Sequence, residues 1–123
     1  MRTALAIGDP ELARRLIETV EPTTPLADNA LCACRAQLGE AEGDLGAAVD
    51  TYSEAAERWR HFGNVPERAY ALLGEGRCLS ALGKPEAEEP LRNARDLFAS
   101  MGYRPALAET EALLSRTQAA AAS

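Results

Sequence analysis

The sequence is short of several things, and each shortage excludes something. Aromatic residues make up only 5% of the chain, so a core has to be built mostly from alanine and leucine, whose small side chains let helices approach closely. No apolar run comes near the roughly 20 residues that cross a bilayer as a helix, and the opening "MRTALAIGDPE" has no apolar region long enough for a signal peptide. No membrane association and a cytoplasmic location are the resulting expectations. Lys84 is the sole lysine, and the formal net charge is −6. Binding along a nucleic-acid backbone relies on clustered cationic charge, so nucleic acid is not an expected partner. The 3 cysteines, Cys32, Cys34 and Cys78, are an odd number, which argues against a disulfide framework. Cys32-x-Cys34 has the wrong spacing for a structural zinc pair and no second pair exists; buried thiols are expected.

What is present is a repeat. In "GDLGAAVDTYSEAAERWRHFG", residues 43–63, the stripe Ala48, Tyr52, Ala55, Trp59, Phe62 ends at Gly63. Shifted by 39 residues it lands on Ala87, Leu91, Ala94, Phe98, Met101 and Gly102. Gly43-Asp44 corresponds to Gly83-Lys84 at a shift of 40, and to Gly8-Asp9 at a backward shift of 35, where Ala48 meets Ala13 and Tyr52 meets Ile17. A unit therefore occurs three times. A second helix precedes each full copy: "LCACRAQLGEAEG" with Leu31, Cys34, Leu38 and Ala41, and "RAYALLGEGRCLSALG" with Leu72, Gly76, Leu79 and Leu82, all at helical spacing.

Glycines after these runs suit left-handed helix ends. Asp9 and Asp44 can cap the helices that follow, and Pro10, Pro66, Pro85 and Pro105 suit first turns. The spacing predicts a short helix end near 2–7 and helices near 10–20, 26–42, 45–62, 66–82, 86–101 and 105–117. "EPTTP" is a rigid connector and the final "AAAAS" should fray. Pro90 conflicts with a helix interior, so that helix should start late or kink there. The expected fold is all-α: one domain over 1–123, with a partial unit at 1–20, units at 26–62 and 66–101, and a terminal helix at 105–117. Such helix pairs cannot bury their own apolar faces and have to stack.

Gly76, Gly83-Lys84, Leu91 and Ala94, with Gly43-Asp44, Ala48, Tyr52 and Ala55, resemble the tetratricopeptide repeat. The resemblance implies antiparallel helix pairs stacked as a right-handed solenoid. The family's early tryptophan is absent and the units are longer than its usual length. A narrower resemblance covers roughly 45–115: "HFGNVPERAYALLGEGRCLSALG" and "EAEEPLRNARDLFASMGYRPALAETEALL" look like the C-terminal helical repeats of actinobacterial LuxR-type ATPase regulators and multidomain class III nucleotide cyclases. It implies the helical tail of a larger signalling or transcription regulator. No G-x-x-x-x-G-K-[ST] loop, cyclase domain or helix-turn-helix accompanies it, so those activities do not transfer.

The chemistry-bearing residues read quietly. His61 sits in a last helical turn, where the dipole favours a cation, and no nucleophile is placed near it. Glu86, Glu88 and Glu89 lie at a helix start, and Glu109 and Glu111 on the last helix, all as solvated carboxylates. Trp59, Phe62, Phe98 and Met101 have core spacing. No catalytic residue, cofactor site or metal site is expected. Tyr70, Leu73 and Arg77 form a stripe at i, i+3, i+7, separate from the Leu72–Gly76–Leu79 stripe; the bland alternative is that Tyr70 and Leu73 pack on a neighbouring helix. The resemblance places those positions on a concave groove, with Glu109, Ala112 and Arg116 as equivalents one unit on. Its Lys/Asn/Arg clamp for a C-terminal carboxylate is missing, since Ala33, Leu73 and Glu109 stand where it needs other residues. Tyr70, Leu73, Arg77 and Arg116 are therefore the candidate contacts for a protein or peptide segment, or for other domains of a longer parent chain. Ile7, Leu12 and Leu16, on a unit with almost no first helix, suggest a homo-oligomer through the N-terminal edge. A small-ligand sensor or enzyme subunit with a pocket between helices is the alternative function.

Overall fold

The computed structural model describes residues 25–122, which form five α-helices and one 3₁₀ turn: α1 Pro25–Ala41, α2 Leu45–Phe62, α3 Val65–Ala81, the 3₁₀ turn Pro85–Ala87, α4 Glu88–Met101 and α5 Arg104–Ala122. Among the described residues there is no strand. The expectations for the helices near 2–7 and 10–20, the partial unit 1–20 and the N-terminal edge lie outside the described residues.

One device ends each of the first four helices. Gly43, Gly63, Gly83 and Gly102 have φ of 84°, 88°, 72° and 72°, a region that only glycine enters without steric cost. In each case the N–H that follows the glycine reaches back five residues: Asp44 to Gly39 O at 2.9 Å, Asn64 to Trp59 O at 3.0 Å, Lys84 to Leu79 O at 2.9 Å, Tyr103 to Phe98 O at 3.0 Å. This is the bond of a Schellman motif, and it satisfies a carbonyl that the helix leaves open. The connections are so short that consecutive helices must turn back on one another.

Helix starts are less uniform. Asn64 caps α3, its Oδ1 accepting from the Glu67 N–H at 3.1 Å, with Pro66 in the first turn. Asp44 occupies the cap position of α2 but makes no side-chain bond there, a correction to its expected capping role. Pro90 is accommodated by a late start. The chain first makes the 3₁₀ turn, and α4 begins at Glu88, so Pro90 falls in a first turn, where its missing N–H has no helical partner to lose. The C-terminal helix is longer than expected, running through Ala122 instead of stopping near 117.

Each helix packs chiefly on its neighbours in sequence. Helix α3 lies between α2 and α4, and a glycine on each side lets it. A Cβ on Gly74 would come within 2.4 Å of the Tyr52 ring, and one on Gly76 within 2.4 Å of Leu91 Cγ and Cδ2. Two helical residues differ by about 200° around the axis, so these glycines admit one large side chain from each flank. The core is otherwise alanine-rich: Ala36, Ala48, Ala55, Ala69, Ala87 and Ala94 are buried around Tyr52, Trp59, Leu91 and Phe98. Three residues assigned to apolar stripes are exposed, Ala41 at the end of α1 among them. Phe62 is 47% accessible and Leu82 41%, because each stands at the end of its helix, beyond the reach of the next one; Phe62 meets the edge of Trp59, at 5.9 Å between ring centroids.

Besides sequential neighbours, α3 contacts α1 and α5, while α2 and α4 have no Cα atoms within 8 Å of one another. The odd-numbered helices thus share a layer that the even-numbered ones do not.

Candidate functional site

The odd-numbered layer is tied together by one arginine. Arg77, on the last turns of α3, donates from Nε to Glu40 Oε2 and from Nη2 to Glu40 Oε1 at 2.7 Å. Its Nη1 donates to Glu109 Oε2 on α5 at 2.9 Å. The Tyr52 hydroxyl, from α2, donates to Glu40 Oε1 at 2.6 Å. Four helices therefore meet through two carboxylates, one guanidinium and one phenol. The planar fork of arginine suits this two-pronged grip on a carboxylate.

The electrostatics follow from burial and pairing. Burial works against the charged form of Glu40, but hydrogen bonds from Arg77 and Tyr52 and the charge of Arg77 outweigh it, and its pKa falls below the ordinary 4.5. The bond from Arg77 to Glu40, opposed by burial, raises the arginine further. Burial, then the bond to Glu40, keeps Tyr52 protonated well above its usual range. Burial, then the charge of Glu40, pushes the Cys78 thiol up to about 12. A thiolate is the reactive form of cysteine, so Cys78 is an inert core thiol. Cys32 is also buried and Cys34 partly so; all three are free thiols.

Beside this network a cleft of about 730 Å³ opens between the end of α3, the turn before α4, and α5. Arg77, Ser80, Lys84, Glu109, Ala112 and Arg116 line it, with Ala81 and Leu113 supplying apolar surface and no aromatic ring present. Among the described residues neither Lys84 nor Arg116 has an ion-pair partner.

The structure divides the four sequence-derived candidates. Arg77 and Arg116 line the same cleft, and so do Glu109 and Ala112, their companions in the repeat. Leu73 does not: it is 2% accessible and belongs to the core, which removes it as a surface contact. The error was to treat its stripe as separate from the core. With a neighbour on either flank, α3 is buried without a break from Ala71 through Gly74. Tyr70 is half-buried and packs edge-to-face on Phe98, 5.1 Å between centroids and 68° between planes, away from the cleft lining. The neighbouring-helix reading therefore describes both residues. Glu40 and Lys84 were missed. Lys84 carried a signal, as the one lysine in a repeat-marked turn. Glu40 carried none, because its partner lies 37 residues away.

The other charged residues are distributed over the surface. His61 is exposed and lies 3.2 Å from Arg60 Nη2, and Glu88 pairs with Arg92 one turn on, at 2.6 Å. Glu75 is raised by burial and by the charge of Glu89. Among the described residues no three metal-ligating side chains gather, and no helix is long and apolar enough to cross a membrane.

Fold and site together define an all-α protein whose alternate helices are pinned by a buried-edge ion network next to a basic-sided cleft. The chain matches no protein-family model, no curated protein and no solved structure.

Proposed function

We propose that the chain is a non-enzymatic protein-interaction scaffold, a tetratricopeptide-like right-handed solenoid. Its cleft between α3 and α5 would hold a protein or peptide segment carrying an acidic residue beside an apolar one. The observation that carries this reading is the state of the cleft cations. Lys84 and Arg116 stand without ion-pair partners among the described residues, next to the apolar surface of Ala81 and Leu113, in a chain whose net charge is −6. An acidic protein repels acidic ligands at long range, so a local excess of cations is what an acidic segment would recognise. The layering of α1, α3 and α5 supports the solenoid, since stacked helix pairs bring their first helices together on one side. The cleft has the volume of a small-molecule pocket but lacks the aromatic lining such pockets favour, which favours a peptide. The sequence resemblance extends the proposal: the chain would serve as the helical repeat segment of a larger signalling or transcription regulator.

The test is binding of a labelled peptide of alternating glutamate and leucine, followed by fluorescence anisotropy. The double substitution Lys84→Ala/Arg116→Ala should weaken it by about 1.5–3 kcal/mol, the range for hydrogen bonds to charged groups, and leave the melting temperature nearly unchanged. Equal binding by both proteins would rule out the cleft. Arg77→Ala is the wrong probe for binding, because it strands Glu40 and tests the fold.

A further inference from the structure

The two carboxylates on Arg77 are held very differently. Glu40 takes two donors from Arg77 and a third from Tyr52, and its side chain is only 19% accessible. Glu109 takes a single donor, Nη1, its side chain is 49% accessible, and among the described residues it has no other hydrogen bond. Removing Glu40 from Arg77 would strand a half-buried charge, which is costly. Releasing Glu109 exposes an already half-solvated carboxylate to more water, and exposed pairs contribute little. One side of Arg77 is an anchor and the other is exchangeable, and the exchangeable side opens on the cleft that Arg116 and Lys84 also line.

We propose that Glu109 is an internal stand-in for the carboxylate of the bound segment: it occupies Arg77 Nη1 in the free protein and is displaced when the segment's carboxylate arrives. The inference rests on the cleft reading above and adds its regulation. The exchange breaks one N–H···O bond and makes one, so by itself it gains little. Affinity then has to come from what Glu109 cannot reach and the ligand can, namely Arg116, Lys84 and the apolar surface between them. Glu109 stays nearby after displacement, and its charge opposes the incoming carboxylate. It therefore acts as a threshold: a segment that offers a carboxylate without engaging the other cations does not dislodge it. Glu40, by holding Nε and Nη2 throughout, keeps Arg77 aimed at the cleft in both states.

The experiment compares Glu109→Gln with Glu111→Gln. Both remove one negative charge from α5, but Glu111 is exposed and lies outside the cleft lining. The alternating glutamate–leucine peptide should bind Glu109→Gln about threefold to fivefold tighter than the unaltered chain, the gain expected when an exposed competing ion pair is removed. Glu111→Gln should stay within about twofold, as expected for a charge outside the contact. A glutamine–leucine peptide should gain nothing from Glu109→Gln. Circular dichroism checks that each variant keeps its helices, and Glu109→Ala, which removes the acceptor altogether, should repeat the gain. Equal tightening by both glutamines would mean a general charge effect and would overturn the stand-in, as would an unchanged or weaker Glu109→Gln. A single-stranded oligonucleotide that gained as much as the peptide would overturn the carboxylate assignment. Loss of peptide binding in Lys84→Ala/Arg116→Ala without any gain in Glu109→Gln would leave the cleft reading intact and remove only the stand-in. No peptide binding by either the unaltered chain or Glu109→Gln would overturn both.

Discussion

The two helix pairs place equivalent side chains in equivalent positions and give them different chemistry. Tyr52 on α2 and Leu91 on α4 each fill the space left by a glycine of α3, Gly74 and Gly76. Leu91 is wholly apolar, whereas Tyr52 carries a hydroxyl that reaches through the packing to Glu40. Two turns further along the same helices, Trp59 and Phe98 are both buried. Phe98 has no polar atom to satisfy, while Trp59 Nε1 is buried without a hydrogen-bond partner among the described residues. At the helix ends, Phe62 is exposed and Met101 partly covered. The lesson is that a repeat preserves volume and position more strictly than polarity. Packing is shared by both pairs, and the first pair adds a link to the charge network.

The largest expected effect breaks the shared part of this comparison. Trp59→Ala and Phe98→Ala should each cost about 3–5 kcal/mol, as large-to-small core changes do, measured by urea denaturation. Phe62→Ala, at the equivalent edge, should stay within about 0.5 kcal/mol. A loss below about 1 kcal/mol for Trp59→Ala would sink the alignment of the two stripes.

Next in size are the glycines. A methyl group at either position gains helix propensity of about 1 kcal/mol but meets a side chain at 2.4 Å. Overpacking of that kind typically costs about 1–3 kcal/mol. Gly74→Ala should be the more damaging of the two, because the Tyr52 ring is pinned by its bond to Glu40 while Leu91 can change rotamer. The reverse order would mean that the hydroxyl does not hold the ring.

The smallest effect isolates the polar link. Tyr52→Phe should cost about 1 kcal/mol, the usual net value of one hydrogen bond. It should also change the response to acid. Glu40 has a folded pKa below 4.5, so its contribution is present above that value and is lost as pH falls through the folded one. Tyr52→Phe removes one of the bonds that lower it, and the acid-side loss should shrink. Cys78 is pushed up to about 12 from 9.0, so its contribution runs the other way: it is present below pH 9 and is lost as pH rises toward 12. Melting temperatures from pH 3 to pH 11, as approximate limits, would test both slopes; an acid-side slope identical in Tyr52→Phe would separate the phenol from Glu40.

The sequence by itself determined the local structure of the described region. Glycines at 43, 63, 83 and 102 are legible because only their backbone enters the left-handed conformation that ends these helices. The stripe shared by Ala48, Tyr52, Ala55 and Trp59 with Ala87, Leu91, Ala94 and Phe98 is legible because helical period puts those residues on one face, and all eight are buried. Half of the candidate site was visible for the same reason, Arg77 and Arg116 being matched positions of the repeat. Only the tertiary structure decided what each face meets. Periodicity orients a side chain about its own helix axis and says nothing of the neighbour across from it. Leu73 became core because α3 is flanked on both sides, and Phe62 became exposed because its helix ends where the next one turns away. Arg77 found Glu40 and Glu109 across 37 and 32 residues, distances over which only the stacking of α1, α3 and α5 brings opposite charges to hydrogen-bonding range.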